Sequence, residues 1–257
     1  MKVAICFSGL LRSFQDCFPS YYENIIKHYD CDIFLYVPDE DDIDDKLSIL
    51  DMCSGKKIIQ KFNESDIPEQ EYQKQLGNCT VQQVLRLMTY LKKVESMKHE
   101  YEKKHKFTYD WVFRCRCDTR VIKGPVEKLH NLNPNKIYIP NHDHWRGIND
   151  RFAFGSSKLM DLYHNRIDYL DEYFDSGGVL HDESYLRAFL EKFKIPICKT
   201  AIHVEILRPS GKTKYNIYQK NHQFPELNYN DKWNHYQSHV GGTKSQRRKN
   251  EYSSKIC

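Results

Sequence analysis

Two hydrophobic rhythms divide this chain. Short unbroken apolar runs, each ended by a turn signal, read as buried strands. The first is Lys2–Phe7, closed by Ser8-Gly9, and the second is Cys31–Val37, closed by Pro38 and the acidic stretch Asp39–Asp45. Between them Pro19 suits a first helical turn, so a helix is expected to start there. Strand, helix and strand at this spacing form a βαβ opening, which implies a parallel sheet. Ile58–Phe62 continues the strand series.

The rhythm then changes. From Thr80 to Lys104, apolar residues recur every three or four positions: Val81, Val84, Leu85, Met88, Leu91, Val94, Met97 and Tyr101. One apolar stripe of that period predicts a long amphipathic helix, with Thr80 as its N-cap. Strands are expected again at Tyr109–Cys115, Val121-Ile122, Ile137–Ile139, Arg151–Phe154 and Ile202–Leu207. Helices are expected over Ser157–Arg166 and from Asp182, where Leu186, Phe189, Leu190 and Phe193 keep the helical period. No repeat and no linker interrupts the series. The expected organisation is one α/β domain over residues 1–239 and a basic tail over 240–257, where Lys244, Arg247, Arg248, Lys249 and Lys255 crowd together.

Composition narrows the classes. The chain has 257 residues, long enough to bury a core without disulfide staples. No apolar run approaches the ~20 residues of a membrane span, and the N-terminal apolar stretch is too short for a signal peptide. A cytoplasmic location is therefore expected, in the host if the source is viral. The nine cysteines include no CxxC pair, which reads as reduced thiols. A net charge of +4 fits an anionic small ligand as readily as a nucleic acid, but no nucleic-acid motif is present.

Four groups of residues could carry chemistry. Trp111-Val112-Phe113-Arg114-Cys115-Arg116-Cys117-Asp118 delivers one carboxylate at a strand end among arginines. In open α/β sheets that end faces the ligand crevice. Asp118 there could hold Mg²⁺ or Mn²⁺ on a diphosphate whose oxygens Arg114 and Arg116 bind, or it could form an ion pair with an arginine. Ser8-Gly9-Leu10-Leu11-Arg12 could approach phosphate in the same crevice, though it matches neither GxGxxG nor a Walker loop. His181-Asp182-Glu183-Ser184 opens a helix after Gly177-Gly178, glycines that would let a loop close over an acceptor. The acids Asp182 and Glu183 either favour the helix dipole or supply a general base for an attacking hydroxyl. Asn141-His142-Asp143-His144-Trp145 with Asn149-Asp150 reads as a metal site, an acceptor-binding loop or a plain loop, and His203 as a further metal ligand or a structural histidine.

The ordered set SGLLRSF, CDIFLYV, LKKVESMKHEYEKKHKFTYD, WVFRCRCD, NDRFAFGSSKLMDLY and HDESYLRAFLEKF resembles the GT-A-type glycosyltransferases encoded by large DNA viruses and bacteria. The likeness covers roughly residues 1–205. It implies a GT-A-like, mostly parallel central sheet flanked by helices, with a less regular C-terminal third. It also implies inverting transfer of a hexose or deoxyhexose from a UDP or GDP donor to a glycan or other hydroxyl acceptor. The family's Asp-x-Asp, whose last acid binds Mn²⁺ or Mg²⁺, matches Arg116-Cys117-Asp118, so only Asp118 carries over. Its helix-opening acids match Asp182 and Glu183 in inverted order, which leaves the base open between them. Ser8 and Arg12 match the nucleotide-facing loop, with Gly9 between them. Asn149 and Asp150 match the donor-sugar or acceptor side, next to His144 and Trp145. The alternatives are a sugar nucleotidyltransferase, a sugar-nucleotide hydrolase, or a non-enzymatic glycan- or nucleic-acid-binding module.

Overall fold

A computed structural model describes residues 1–63, 65, 81–123 and 128–209. The expected boundary at residue 239, the basic tail and Thr80 lie outside the described residues.

Strands β1 (Lys2–Ser8), β2 (Asp30–Pro38), β3 (Lys57–Phe62), β4 (Trp111–Arg116), β6 (Ile137–Pro140), β7 (Ala153–Gly155) and β8 (Ile197–Thr200) form a seven-stranded sheet in the order β3-β2-β1-β4-β7-β6-β8. A second sheet pairs β5 (Thr119–Lys123) with β9 (His203–Ile206). β1 runs parallel to β2 and β4, as the βαβ opening predicted. β7 is antiparallel to both β4 and β6, so the sheet is mixed. Every residue of β1 from Val3 to Ser8 is buried, as suits a central strand covered on both faces. Edge strand β3 instead exposes Lys57, Gln60 and Lys61, and the two lysine charges discourage pairing with another chain.

Helix α1 spans Phe14–Asn24, so Pro19 lies inside it rather than at its start. Phe14, Cys17, Phe18 and Tyr21 form its buried stripe, and the anchorage of that stripe outweighs the hydrogen bond Pro19 cannot donate. The carbonyl left without that donor belongs to Gln15, which faces solvent. α2 (Ile43–Leu47) forms within the acidic stretch because Ile43 and Leu47 share one buried face. α3 (Val81–His105) is the long amphipathic helix. α4 (Ser157–His164), α5 (Leu170–Asp175) and α6 (Asp182–Lys192) follow. Gly177 and Gly178 close α5. Gly177 takes φ +86°, its N–H donates to Phe174 O, and the Gly178 N–H donates to Tyr173 O, a Schellman pattern. They form a helix stop, where a loop hinge was expected.

Two cores result. α1 packs with Phe7, Phe113, Phe152 and Phe154 on one face of the sheet, while α3, α4 and α6 pack with Tyr36, Val112 and Ala153 on the other. Beneath α3 the Lys98 ammonium, fully buried, meets Glu95, Glu102, Asp161 and Ser157 at 2.8–3.0 Å. Cys6, Cys17, Cys31, Cys53, Cys115 and Cys117 are free and buried, whereas Cys198 is disulfide-bonded, so the expectation of a wholly reduced set fails at that position. No helix among the described residues is long and apolar enough to cross a membrane.

Candidate functional site

The chain leaves β1 for β2 and β3 on one side, then returns to β4 on the other. In open α/β sheets such a reversal opens a crevice beyond the carboxyl ends of the two strands. Those ends are Ser8 and Arg116, which are register partners. Neighbours in parallel register point to the same face, so the Ser8 hydroxyl and the Arg116 guanidinium leave the sheet together. The Ser8 hydroxyl is buried and makes no hydrogen bond. Gly9 follows at φ +110°, a conformation that favours glycine, and a Cβ built there would meet nothing within 4 Å. The space beside it is open.

Three segments meet at this end of the sheet. The Leu207 N–H donates to Asp118 O at 2.9 Å, and the Ser13 hydroxyl donates to Leu207 O at 2.5 Å. Arg12, Asp118 and Arg208 are thereby drawn to one place. Arg116 Nε and Nη2 donate to the two Asp118 carboxylate oxygens at 2.8 and 2.9 Å, a bidentate fork. Arg12 Nη1 stands 4.0 Å from Asp118 Oδ2. Burial alone would raise the Asp118 pKa, but Arg116, Arg12 and Arg208 outweigh it and hold the carboxyl below its usual range. Of the two readings of this motif, the ion pair is the one observed.

That pairing bears on a divalent cation. Both oxygens of Asp118 already accept from Arg116, and the groups around them are cationic. Among the described residues, no cluster of three or more His, Cys, Asp or Glu is arranged to hold a metal ion. The residues present do not fit Mg²⁺ or Mn²⁺ at Asp118. His203 cannot assist, because it pairs with Lys123 at the far end of the β5–β9 ribbon, whereas Asp118 adjoins Leu207. There its ring stacks on His142 at 4.3 Å.

The acidic side of the site is built by the loop after β6. Asp143, Trp145 and Arg146 adopt φ of +53°, +39° and +71°. Non-glycine residues hold that region only where surrounding contacts impose it. Here Asn149 supplies several: its backbone N–H donates to His144 Nδ1, its side-chain Nδ2 donates to His142 O, and its side-chain Oδ1 accepts from the Arg151 N–H. Burial, then Lys199 and His142, push the His144 pKa down to about 3, so its ring stays neutral. Asn149 and His144 are therefore loop-building residues, while Trp145 is only half-buried.

Gly147 docks this loop onto α6. The Ile148 N–H donates to Glu183 O at 2.9 Å, and a Cβ on Gly147 would lie 1.8 Å from that same oxygen. Gly147→Ala is expected to cost about 1–3 kcal/mol and to lower Tm measurably. An unchanged Tm would contradict this packing.

The docking brings Asp150 to the start of α6. Asp150 is buried, and its Oδ2 has no hydrogen-bond partner, with Arg114 Nη2 3.9 Å away. Burial and then Asp150 push the Asp182 pKa up to about 7, against Arg166, Arg116 and Arg114. Burial and then Asp150 likewise push Glu183 up to about 8. Glu183 also lies 3.3 Å from His181 Nε2. Arg114 is fully buried and donates to Arg151 O, so it supports the acidic loop from below. Arg116 lies within electrostatic reach of Asp118, Asp150 and Asp182 and joins the two halves.

Ser8, Gly9, Arg12, Arg116, Asp118, Asp150, Asp182 and Glu183 are thus gathered at one end of the sheet. Gly147, Arg151, Arg166 and Arg208 were not anticipated. Only Gly147, a lone glycine beside Asn149-Asp150, carried a signal that could have found it.

This architecture defines an α/β domain with a mixed sheet whose topological switch point gathers arginines and carboxylates. The chain belongs to the family described as a domain of unknown function, DUF7796, whose model matches residues 1–217. No curated protein matches its sequence.

Proposed function

We propose that the protein is a nucleotide-sugar-dependent glycosyltransferase that transfers a hexose or deoxyhexose, with inversion, to a glycan or other hydroxyl acceptor. The observation that carries this reading is the meeting of two opposite ends in one crevice. One end presents the guanidinium groups of Arg12 and Arg208 to solvent around the Arg116–Asp118 pair, and the other places the Asp182 and Glu183 carboxyls beside Asp150, where they retain protons near neutrality. Transfer needs both. The arginine end binds the diphosphate and stabilises the charge that develops as it leaves. Asp182 or Glu183, once ionised, accepts the proton of the acceptor hydroxyl as its oxygen bonds to the anomeric carbon. The bond from that carbon to the diphosphate breaks, and the nucleoside diphosphate carries off the electron pair.

The test is incubation with UDP- and GDP-linked hexoses and deoxyhexoses plus a glycan library, followed by mass spectrometry. The expected result is one donor whose sugar mass appears on an acceptor as nucleoside diphosphate is released. Release of pyrophosphate from a nucleoside triphosphate and a sugar phosphate would instead favour a nucleotidyltransferase. No product with any donor would overturn the proposal.

A further inference from the structure

We infer that the donor's diphosphate is held by guanidinium groups, Arg12 and Arg208 around the anchored Arg116, without a divalent cation. This rests on the glycosyltransferase reading and specifies its ligand chemistry. The sheet places a carboxylate where a cation would be coordinated, yet Arg116 covers both of its oxygens at 2.8 and 2.9 Å. The Asp118 side chain keeps 7% of its surface, whereas Arg12 keeps 42%. A ligand entering from solvent therefore meets Arg12 before it meets Asp118. Arg208 is exposed and follows Leu207, whose backbone binds both Asp118 and Ser13. Two arginines with solvent access thus flank a third that is fixed in place. Asp118 acts as a positioning residue: it orients the Arg116 fork, and it leaves the local charge positive. The orphaned Ser8 hydroxyl, in register with Arg116, adds a donor on the same face. Guanidinium forks match phosphate oxygens in geometry and charge, the two services a divalent cation would otherwise provide.

The experiment is calorimetric titration of the protein, dialysed against EDTA, with UDP, GDP and inorganic pyrophosphate, each with and without added Mn²⁺. Wild type and Arg12→Ala are compared. Arg12 is half-exposed at a loop, so its loss should leave the fold intact, which a thermal melt checks. The expected result is binding of one nucleotide without metal, changed less than about twofold by Mn²⁺ and weakened at least about tenfold in Arg12→Ala. Nucleotide binding only with Mn²⁺, or metal-free binding that Arg12→Ala leaves unchanged, would overturn the inference while the transferase reading stands. Metal-free binding of pyrophosphate but of neither nucleotide would support the arginine site and overturn the nucleotide-sugar reading. No binding of any probe would overturn both.

Discussion

Lys98→Met is expected to lower the unfolding free energy by about 3–5 kcal/mol, the usual cost of removing one partner from a buried ionic group. Lys98 has no solvent-exposed surface, and its ammonium meets Glu95 Oε1 at 3.0 Å, Glu102 Oε2 at 2.9 Å, Asp161 Oδ1 at 2.9 Å and the Ser157 hydroxyl at 2.8 Å. Burial pulls its pKa down, but Glu95 and Asp161 more than compensate and raise it. The partners extend the network: Glu95 Oε2 pairs with buried His164 Nδ1 at 2.7 Å, and Glu102 Oε1 accepts from the Tyr109 N–H. Methionine has a similar length and keeps the packing, yet it strands three carboxylates around an apolar chain. In the wild type burial, then Arg166 and Lys98, hold the His164 pKa well below the usual value, and burial and Arg166, the two larger causes, remain in the variant to oppose its taking over the charge. Urea denaturation would read the loss directly, with a Tm fall of roughly 10 °C. A loss under about 1 kcal/mol would show that the network does not bind α3 to α4.

The second large effect concerns α6. The double variant Asp182→Asn, Glu183→Gln is expected to lower the transfer rate by about 10²–10⁴-fold, the usual contribution of a positioned general base. In the wild type only the ionised carboxyl can accept a proton, and burial together with Asp150 moves that ionisation to about 7 for Asp182 and about 8 for Glu183. The transfer rate should therefore climb as pH rises through that interval. Stability should move the other way. Between about pH 4 and 8 the folded chain holds protons that the unfolded chain releases, so stability falls as pH rises through that window. The double variant, with no carboxyl at either position, should lose that part of the fall. A wild-type rate that stays flat from pH 6 to 9, or a double variant with full activity, would remove the base from this helix.

What was legible in the sequence was local. β1 and β2 stood out because strands buried on both faces are continuous apolar runs, and α3 because its eight-position stripe has no strand-like alternative. The start of α1 was not legible. Pro19 carries a strong local signal for a first turn, and the aromatic packing of Phe14, Phe18 and Tyr21 that overrides it is tertiary. The direction of β7 was hidden as well, because its own three residues carry no mark of direction and one of its two partners, β4, lies some forty residues back along the chain.

At the site, residue types were readable and partners were not. The sequence allowed Asp118 either an arginine or a metal, and only the geometry of the fork separates the two. Asp150 reaches α6 through Gly147, whose requirement comes from a carbonyl on another element. Arg208 joins the crevice through hydrogen bonds to the Leu207 backbone, which no side-chain pattern announces.

The most direct test of the central claim is a crystal structure of the protein grown with the nucleotide-sugar that the transfer assay selects. The site described here predicts the diphosphate beyond the ends of β1 and β4, within hydrogen-bond reach of Arg12, with the sugar turned toward Asp182 and Glu183. A nucleotide ordered anywhere else on the chain would contradict it.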